Sequence, residues 1–305
     1  MGSIRHYLKD IGRGKEGARA LTRAQAADLF GLLLDGEVSD LEVGAFCLAM
    51  RIKGETADEM AGFLDATAQR MARVPVGPQP LVVIPSYNGA RKLPVLTPLL
   101  ALRVAQAGLS VMVHGTPTED TRVNVADVMQ ALDLPPRQAV GPIGRGEVAY
   151  LPTEVLCPGL QRLLEVRRVV GLRNSAHSLV KLMNPGAGDA VIVSSYTHPE
   201  YAVSMAEVFE RVEATAMLLR GTEGEAVADP RRLPQIEGFI RGERVILEAG
   251  HKGSLSALPQ LPAQIDAATT AGYIRDVMAG RSPCPAPIDT QVAHIVQLAR
   301  RLQTA

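Results

Sequence analysis

The spacing of apolar residues predicts three helices in the first 72 positions of the chain. Thr22 caps the first helix, whose apolar positions recur every three or four residues and are Ala26, Leu29, Phe30, Leu33 and Leu34. The pair Asp35-Gly36 ends it. A second helix begins at about Ser39, and a third runs from Thr56 to Met71. The second helix is apolar nearly all round between Leu41 and Met50, so we expect it to be buried.

Three prolines, Pro75, Pro78 and Pro80, end this helical pattern. Beyond them, short aliphatic runs alternate with longer helical stretches; the runs are Leu81–Ile84, Ser110–Val113, Ala190–Val193 and Ala216–Leu219. Such alternation is typical of a sheet covered on both faces. The predicted fold class is α/β, with a small N-terminal helical domain (1–74) and a larger α/β domain (75–305) whose central mixed, mostly parallel sheet is flanked by helices. We expect helices within 160–185 to pack near the helical domain.

Two helices are predicted in that later segment. The first covers Arg162–Val170 and is closed by Gly171. The second begins at a cap formed by Asn174 or Ser175 and ends at Asn184-Pro185. Within it, His177 and Lys181 are four residues apart and share one face, so that with Arg173 they form a cationic ridge able to contact phosphates. An amphipathic helix whose lysine reaches solvent is the alternative interpretation.

Composition limits the class of protein. The chain has 305 residues, 47% of them hydrophobic, but no uninterrupted apolar run of membrane-spanning length and no signal peptide. We therefore expect a cytoplasmic protein with no membrane partner. Cys47, Cys157 and Cys284 show no CxxC spacing, which predicts neither a disulfide framework nor a zinc site.

The net charge is zero, which weighs against a nucleic-acid partner, but the charges are unevenly distributed. Bases concentrate between Arg162 and Lys181 and at the N-terminus, where they are Arg5, Lys9, Arg13, Lys15, Arg19 and Arg23. Acids concentrate in 35–65 and 200–229. The pattern indicates either one basic and one acidic face or ordinary scatter over the surface.

The segment 81–133 resembles the phosphoribosyl-diphosphate-binding region of the anthranilate phosphoribosyltransferase family without a gap. The family's GTGGD, NIST, KHGNR and ADVLEALG motifs correspond to Pro85-Ser-Tyr-Asn-Gly89, Val95-Leu-Thr-Pro98, Val113-His-Gly-Thr-Pro117 and Ala126–Asp133. The family's RTIFNLLGPLLNP corresponds to Arg173–Pro185, again without a gap. With the helical start, the resemblance covers nearly the whole chain.

The resemblance preserves spacing but not chemistry. A loop that wraps diphosphate needs glycines because backbone N–H groups must approach the phosphate closely, yet Pro85, Tyr87 and Asn88 replace them. The family's acidic pair, which helps hold magnesium, is replaced by Ala226 and Val227, which offer no oxygen ligands from their side chains. Glu223 and Glu225 lie close by and could substitute, but a solvated acidic turn is favoured. We therefore predict no metal, no cofactor and no catalytic residue.

Cationic and turn-forming residues remain at the corresponding positions. Asn88-Gly89 still forms a turn and is followed by Arg91 and Lys92, which suits a phosphate; a plain strand-to-helix turn with solvated cations is the alternative. The candidate nucleic-acid or phosphate contacts are Asn88, Arg91, Lys92, His114, Arg122, Arg173, His177 and Lys181.

The combination PSYNGARK, VHG and RNSAHSLVKL resembles the YbiB-type branch of the family. That resemblance implies a homodimer joined through the helical domain that binds DNA and RNA with little sequence preference. Two other functions stay open: a glycosyl or phosphoribosyl transferase with a changed acceptor, in which Asn88, Arg91, His114 and Lys181 form a different phosphate site, and a dimeric scaffold. With 4% aromatic residues and no Trp, the chain holds no aromatic-rich platform for stacking bases.

Overall fold

The computed structural model describes residues 3–304, over which the chain forms thirteen helices and eight strands. Met1, Gly2, Ala305 and the side chain of Lys15, one of the six N-terminal bases, lie outside the described part. In chain order the elements are α1 (Arg5–Ile11), α2 (Gly14–Gly17), α3 (Arg23–Asp35), α4 (Asp40–Lys53), α5 (Ala57–Arg70), β1 (Leu81–Ser86), α6 (Thr97–Gln106), β2 (Ser110–Gly115), α7 (Val125–Ala131), β3 (Val148–Pro152), α8 (Thr153–Leu156), α9 (Pro158–Val170), α10 (Ala176–Leu179), β4 (Ala190–Tyr196), α11 (Pro199–Arg211), β5 (Ala216–Thr222), β6 (Glu225–Ala228), β7 (Ile236–Ile240), β8 (Glu243–Glu248), α12 (Ala267–Met278) and α13 (Ala286–Thr304).

The chain divides into two compact units. Unit 1 contains Met1–Ala72 and Thr153–Pro185, and unit 2 contains Arg73–Pro152 and Gly186–Ala305. The division differs from the predicted domain ranges in two respects. The first boundary follows Ala72 instead of residue 74, and Thr153–Pro185 belongs to the helical unit although it lies within 75–305. The chain leaves unit 2 after β3 and returns to it before β4.

Three helices of unit 1 begin with the same local device. Thr22, Ser39 and Thr56 each accept a hydrogen bond from the backbone N–H three residues later, and the side chain at that later position accepts from the backbone N–H of the capping residue. These reciprocal bonds satisfy two N–H groups that a helix start leaves unpaired. The predicted starts of α3, α4 and α5 are confirmed, as is the end of α3 at Gly36, which adopts φ of 72°.

The core of unit 1 is aromatic. The rings of Phe30 on α3 and Phe63 on α5 stack with centroids 4.5 Å apart, and Phe46 of α4 meets both edge-on. Gly62 allows α5 to approach α3 closely, because a Cβ at this position would stand 2.2 Å from the carbonyl oxygen of Arg23. A side chain there would force the two helices apart.

Two predictions about unit 1 are wrong. Helix α4 is not buried all round: it buries Phe46, Cys47 and Met50, whereas Leu41 is 84% exposed. The helix predicted from Ser175 to Asn184 is only the four residues of α10. Leu179, Val180, Leu182 and Met183 are all buried, so their apolar character reflects a segment enclosed in the core rather than one face of a longer helix.

Unit 2 is built on one eight-stranded sheet with the order β3-β2-β1-β4-β5-β7-β8, and β6 also pairs with β5. The five strands from β3 to β5 are parallel, while β6, β7 and β8 join antiparallel. The four predicted strands are confirmed as β1, β2, β4 and β5. The predicted mixed, mostly parallel sheet with flanking helices is likewise confirmed. No helix among residues 3–304 is both long and apolar enough to span a membrane.

Candidate functional site

The strand order of unit 2 reverses direction between β1 and β4. From β1 the chain continues to β2 and β3 on one side, and from β4 it continues to β5 on the other. The carboxyl ends of parallel strands at such a reversal form the crevice where α/β proteins usually bind ligands. The segment that follows β1 there, residues 87–96, is called the β1 loop below. It begins with the last three of the five residues that correspond to the family's glycine-rich motif, and the first two end β1.

A buried carboxylate fills the start of this loop. Glu225 on β6 is 1% exposed. Its Oε1 accepts hydrogen bonds from the backbone N–H groups of Asn88 (2.9 Å) and Gly89 (2.8 Å). Its Oε2 accepts from the hydroxyls of Ser86 (2.6 Å) and Thr97 (3.0 Å). Four donors from β1, the β1 loop and the start of α6 therefore surround one carboxylate, an arrangement that satisfies a buried negative charge.

A second carboxylate holds the next part of the loop. Glu223, which is half-buried, accepts from the backbone N–H of Arg91 at 2.7 Å and from that of Lys92 at 3.1 and 3.2 Å. The main-chain carbonyl of Glu223 also accepts from the side-chain amide of Asn88 at 3.3 Å. The N–H groups of four β1-loop residues are thus all engaged by acidic residues of the same chain.

Both carboxylates belong to the tight hairpin between β5 and β6. Its two turn residues, Glu223 and Gly224, have φ of 54° and 91°. Two-residue hairpins commonly need positive φ at both positions, which glutamate adopts at a cost. Gly224 lies so close to the loop that a Cβ would stand 1.6 Å from Nδ2 of Asn88. On the opposite side, the Ser195 hydroxyl donates to the Gly224 carbonyl at 3.1 Å. The favoured prediction of a solvated acidic turn is therefore wrong, because the hairpin is packed against the loop and Glu225 is buried.

His114 does not fit the predicted role of a phosphate contact. It is completely buried at the end of β2, where its Nδ1 lies 2.8 Å from the Tyr87 hydroxyl. Burial lowers the pKa of its imidazole to about 3, so the ring is neutral near pH 7. Its Nε2 has no hydrogen-bond partner among the described residues. A sequence shows that a histidine follows a strand but not that the sheet encloses it.

A small cleft adjoins the loop. The open space within it, part of which is continuous with solvent, is about 190 Å³, and its lining includes Tyr87, Gly89, Thr116 and Asn124. Pockets for drug-sized ligands typically hold about 300–1,000 Å³. The cleft is therefore small for a ligand of the size of phosphoribosyl diphosphate.

Three predicted cations of unit 2 surround the hairpin tip. Arg91 and Lys92 are exposed, and no hydrogen bond or ion pair involves their side chains within residues 3–304. Arg122 is half-buried, and its Nη1 lies 3.4 Å from the carbonyl oxygen of Asn88 and 3.5 Å from that of Glu223. The structure therefore brings Asn88, Arg91, Lys92 and Arg122 together.

Arg231 was not identified from the sequence. It binds Asp229 through two side-chain hydrogen bonds of 3.0 and 2.9 Å. Its pKa is raised, first by those bonds and in smaller part by the charges of Asp229 and Glu223. It therefore belongs to the charged surroundings of Glu223. No sequence signal pointed to it, because its interaction with Glu223 depends on how the β5–β6 hairpin folds.

The three candidates of unit 1 do not form the predicted ridge. His177 is buried, with Nδ1 3.2 Å from Oδ1 of Asn174. Asn174 Oδ1 also accepts from the backbone N–H of Ala176 at 3.0 Å, while Ser175 occupies the N-cap position of α10 without a side-chain capping bond. Arg173 precedes α10 and Lys181 follows it, and both are half-buried. The His177 side chain is therefore not exposed beside Lys181.

Comparison with known proteins identifies the family. Residues 5–71 match a family model described as the helical bundle domain of a glycosyl transferase family. The chain is 40% identical over 297 residues to the Escherichia coli protein named uncharacterized protein YbiB. The aligned region covers 95% of this chain and 92% of that protein. It is 30% identical over 257 residues to the anthranilate phosphoribosyltransferase of Symbiobacterium thermophilum, covering 80% and 73% respectively. The chain belongs to the anthranilate phosphoribosyltransferase family.

Solved structures of anthranilate phosphoribosyltransferases share the fold. The Thermus thermophilus enzyme aligns with a TM-score of 0.73 at 22% identity, over 97% of this chain and 89% of that one. The Saccharomyces cerevisiae enzyme in complex with phosphoribosyl diphosphate and magnesium aligns with a TM-score of 0.69 at 14% identity, over 98% and 89%. The fold of the family is therefore retained across nearly the whole chain.

The residues present do not fit phosphoribosyl diphosphate and magnesium. The N–H groups of Asn88, Gly89, Arg91 and Lys92 already bind carboxylates. Ala226 and Val227 are buried and apolar, and residues 3–304 contain no group of three metal-ligating side chains. A hard cation needs several oxygen ligands, whereas the carboxylates of Glu223 and Glu225 are directed at N–H and O–H donors.

Proposed function

We propose that this chain is a nucleic-acid-binding protein on the anthranilate phosphoribosyltransferase fold, and that it contacts phosphates through cationic side chains. One observation carries the proposal: the amide groups of the β1 loop bind the chain's own carboxylates, while the side chains of Arg91 and Lys92 are exposed beside them. A phosphate that reaches this surface meets cations on flexible stems rather than a preformed amide cradle. Such contacts favour nucleic acid of any sequence, because the phosphate backbone carries no base information.

The proposed contact set in unit 2 is Arg91, Lys92 and Arg122. Asn88 is not included, because its backbone N–H and side-chain amide are engaged with the hairpin. His114 and His177 are not included because they are buried. Arg173 and Lys181 of unit 1 stay in the proposal as a separate group. With a net charge of zero, binding is expected to be weak at physiological salt and strongly salt-dependent.

We also propose that the chain forms a homodimer through α4. Leu41, Ala45, Leu48 and Ile52 follow one another at intervals of four, three and four residues and are all exposed. This spacing places them on one face of the helix, as in helices that pair along an apolar seam. Val169 of α9, in the same unit, is 89% exposed. A second copy would cover this face, and a dimer offers one nucleic-acid strand twice as many contacts.

The test of nucleic-acid binding is a set of fluorescence-anisotropy titrations with single-stranded and double-stranded oligonucleotides over a range of salt. Arg91→Ala with Lys92→Ala should weaken binding for all sequences and reduce the slope of log K against log salt by up to about two units. Lys181→Ala should reduce it by about one unit. Wild-type protein that binds neither oligonucleotide at low salt would exclude the proposal.

The matched control for the double variant is Arg300→Ala with Arg301→Ala on α13. These arginines are exposed and belong to unit 2, as Arg91 and Lys92 do. Replacing them with alanine removes the same amount of positive charge. If binding depends only on total charge, both double variants should weaken it equally. If it depends on the proposed surface, only the Arg91 and Lys92 variant should change the slope.

A further inference from the structure

We infer that the β1 loop and the residues on either side of it, Ser86 and Thr97, form an oxyanion-binding cradle that the chain keeps filled with the carboxylates of its own hairpin. Six donor residues define the cradle: Ser86, Asn88, Gly89, Arg91, Lys92 and Thr97. They supply four backbone N–H groups and two hydroxyls, all directed at Glu223 or Glu225. The inference concerns the loop itself and does not depend on whether the exposed cations bind nucleic acid.

The chemistry of the cradle defines its class of ligand. Backbone N–H groups that converge at the end of a strand favour compact oxyanions such as phosphate or a carboxylate. Two neighbouring N–H groups and two hydroxyls hold Glu225, in the manner of a bound anion with two oxygens. Glu223 offers the same kind of group to the next two amides.

The hairpin reaches the cradle at a cost in backbone conformation. Glu223 adopts a positive φ, which is unfavourable for a residue with a side chain, and Gly224 leaves no room for a Cβ against Asn88. Such a conformation persists only if surrounding contacts maintain it. On the loop side these contacts are the carboxylate bonds, together with the longer contacts that the Glu223 carbonyl oxygen makes with Asn88 and Arg122. In the wild-type chain, the hairpin therefore acts as an intramolecular ligand that excludes free oxyanions.

Glu225 is enclosed, whereas Glu223 is half-buried and reachable from solvent. Removing both carboxylates should free the amides and open a path from the surface to the deeper donors. The probe is inorganic phosphate, added to wild-type protein and to Glu223→Ala with Glu225→Ala at constant ionic strength set with chloride. Glu243→Ala is the matched control, because Glu243 is an exposed acid on β8 with no side-chain partner within residues 3–304.

Equilibrium dialysis and thermal melts measure the outcome. We expect saturable phosphate binding and a phosphate-dependent rise in melting temperature in the double variant, with affinity at least about tenfold above that of wild type and of the control. A folded double variant that binds phosphate no better than wild type would overturn the inference. So would wild-type protein that binds phosphate as tightly as the variant, because the carboxylates would then exclude nothing.

If the double variant does not fold, a second measurement tests the inference. Glu225→Ala alone is refolded in formate or in chloride at the same ionic strength. Formate is a free carboxylate small enough to replace the missing one, so a higher yield of folded protein in formate supports the cradle. Equal yields in the two salts contradict it, because the donors around Glu225 would then not bind a free carboxylate.

Discussion

His114 is completely enclosed, and the only described hydrogen bond of its ring joins Nδ1 to the Tyr87 hydroxyl. Charging such a ring would require burying an imidazolium, and burial accordingly lowers its pKa from 6.5 to about 3. The same residue type at an exposed strand end would have been a reasonable phosphate contact. The two cases differ in the burial of the ring, which the residue type alone does not determine.

The lowered pKa of His114 predicts a dependence of stability on pH. Between pH 6.5 and about 3 the unfolded chain binds a proton at this position and the folded chain does not, so the free energy of unfolding falls as pH decreases through that window. The contribution is at most about 1.4 kcal/mol per pH unit. Above pH 6.5 both states are neutral at His114 and the contribution is constant.

Urea unfolding between pH 7 and pH 4.5 measures this contribution. His114→Gln removes the titrating group while keeping a polar partner for Tyr87. The variant should be less stable at pH 7, and its free energy of unfolding should fall less steeply with decreasing pH. Parallel pH profiles for the two proteins would show that His114 is protonated in the folded state as readily as in the unfolded one.

At the scale of the element, the β5–β6 hairpin determines what the β1 loop can bind. Gly224→Ala adds a Cβ where Asn88 already lies, at 1.6 Å from its amide nitrogen, and also places alanine at φ of 91°. We expect it to lower the free energy of unfolding by clearly more than the roughly 1–2 kcal/mol of left-handed backbone strain alone. Thermal and urea unfolding measure the loss.

Gly280→Ala separates the two effects in that comparison. Gly280 also has a positive φ of 72°, and a Cβ there meets nothing within 4 Å. Its substitution therefore reports backbone strain without a clash. Equal losses for the two alanine variants would mean that the loop moves away from Gly224 freely and that the hairpin is not tightly packed against it.

For the whole molecule, the exposed face of α4 leads to a prediction about assembly. Leu41→Glu with Leu48→Glu should convert a dimer to a monomer, because two charges would be buried in the apolar seam at each copy. Light scattering at micromolar concentration measures the mass. Ile246→Glu on β8 is the control, since Ile246 is 53% exposed and lies in unit 2. A wild-type protein that is already a monomer would refute the prediction.

The filled cradle also leads to a prediction about catalysis. Phosphoribosyl transfer depends on positioning and charge stabilisation, and the groups that would provide both are engaged by Glu223 and Glu225. We expect no turnover with anthranilate, phosphoribosyl diphosphate and magnesium. A rate on the order of 1 per second or above would place this chain among the family's ordinary enzymes. The assay needs a catalytically active family member as a positive control.

Local signals in the sequence were sufficient for much of the fold. The starts of α3, α4 and α5 follow from Thr22, Ser39 and Thr56, because capping is a contact between residues three apart. The strands β1, β2, β4 and β5 follow from continuous aliphatic runs, which a sheet covered on both faces requires. Strands β3, β6, β7 and β8 were missed: the first three are only four or five residues long, and β8 begins and ends with charged residues.

The sequence by itself determined the family, the mostly parallel sheet and the loss of the glycine-rich motif, because each depends on residue type and spacing. Only the tertiary structure decided what replaces that motif. Glu225 is more than 130 residues from Asn88, and pairing of β6 with β5 carries it to the β1 loop. Burial of His114 and exposure of Leu41 were likewise decided by packing. A residue's charge and apolar character are local properties, whereas its neighbours and solvent access depend on how distant segments fold together.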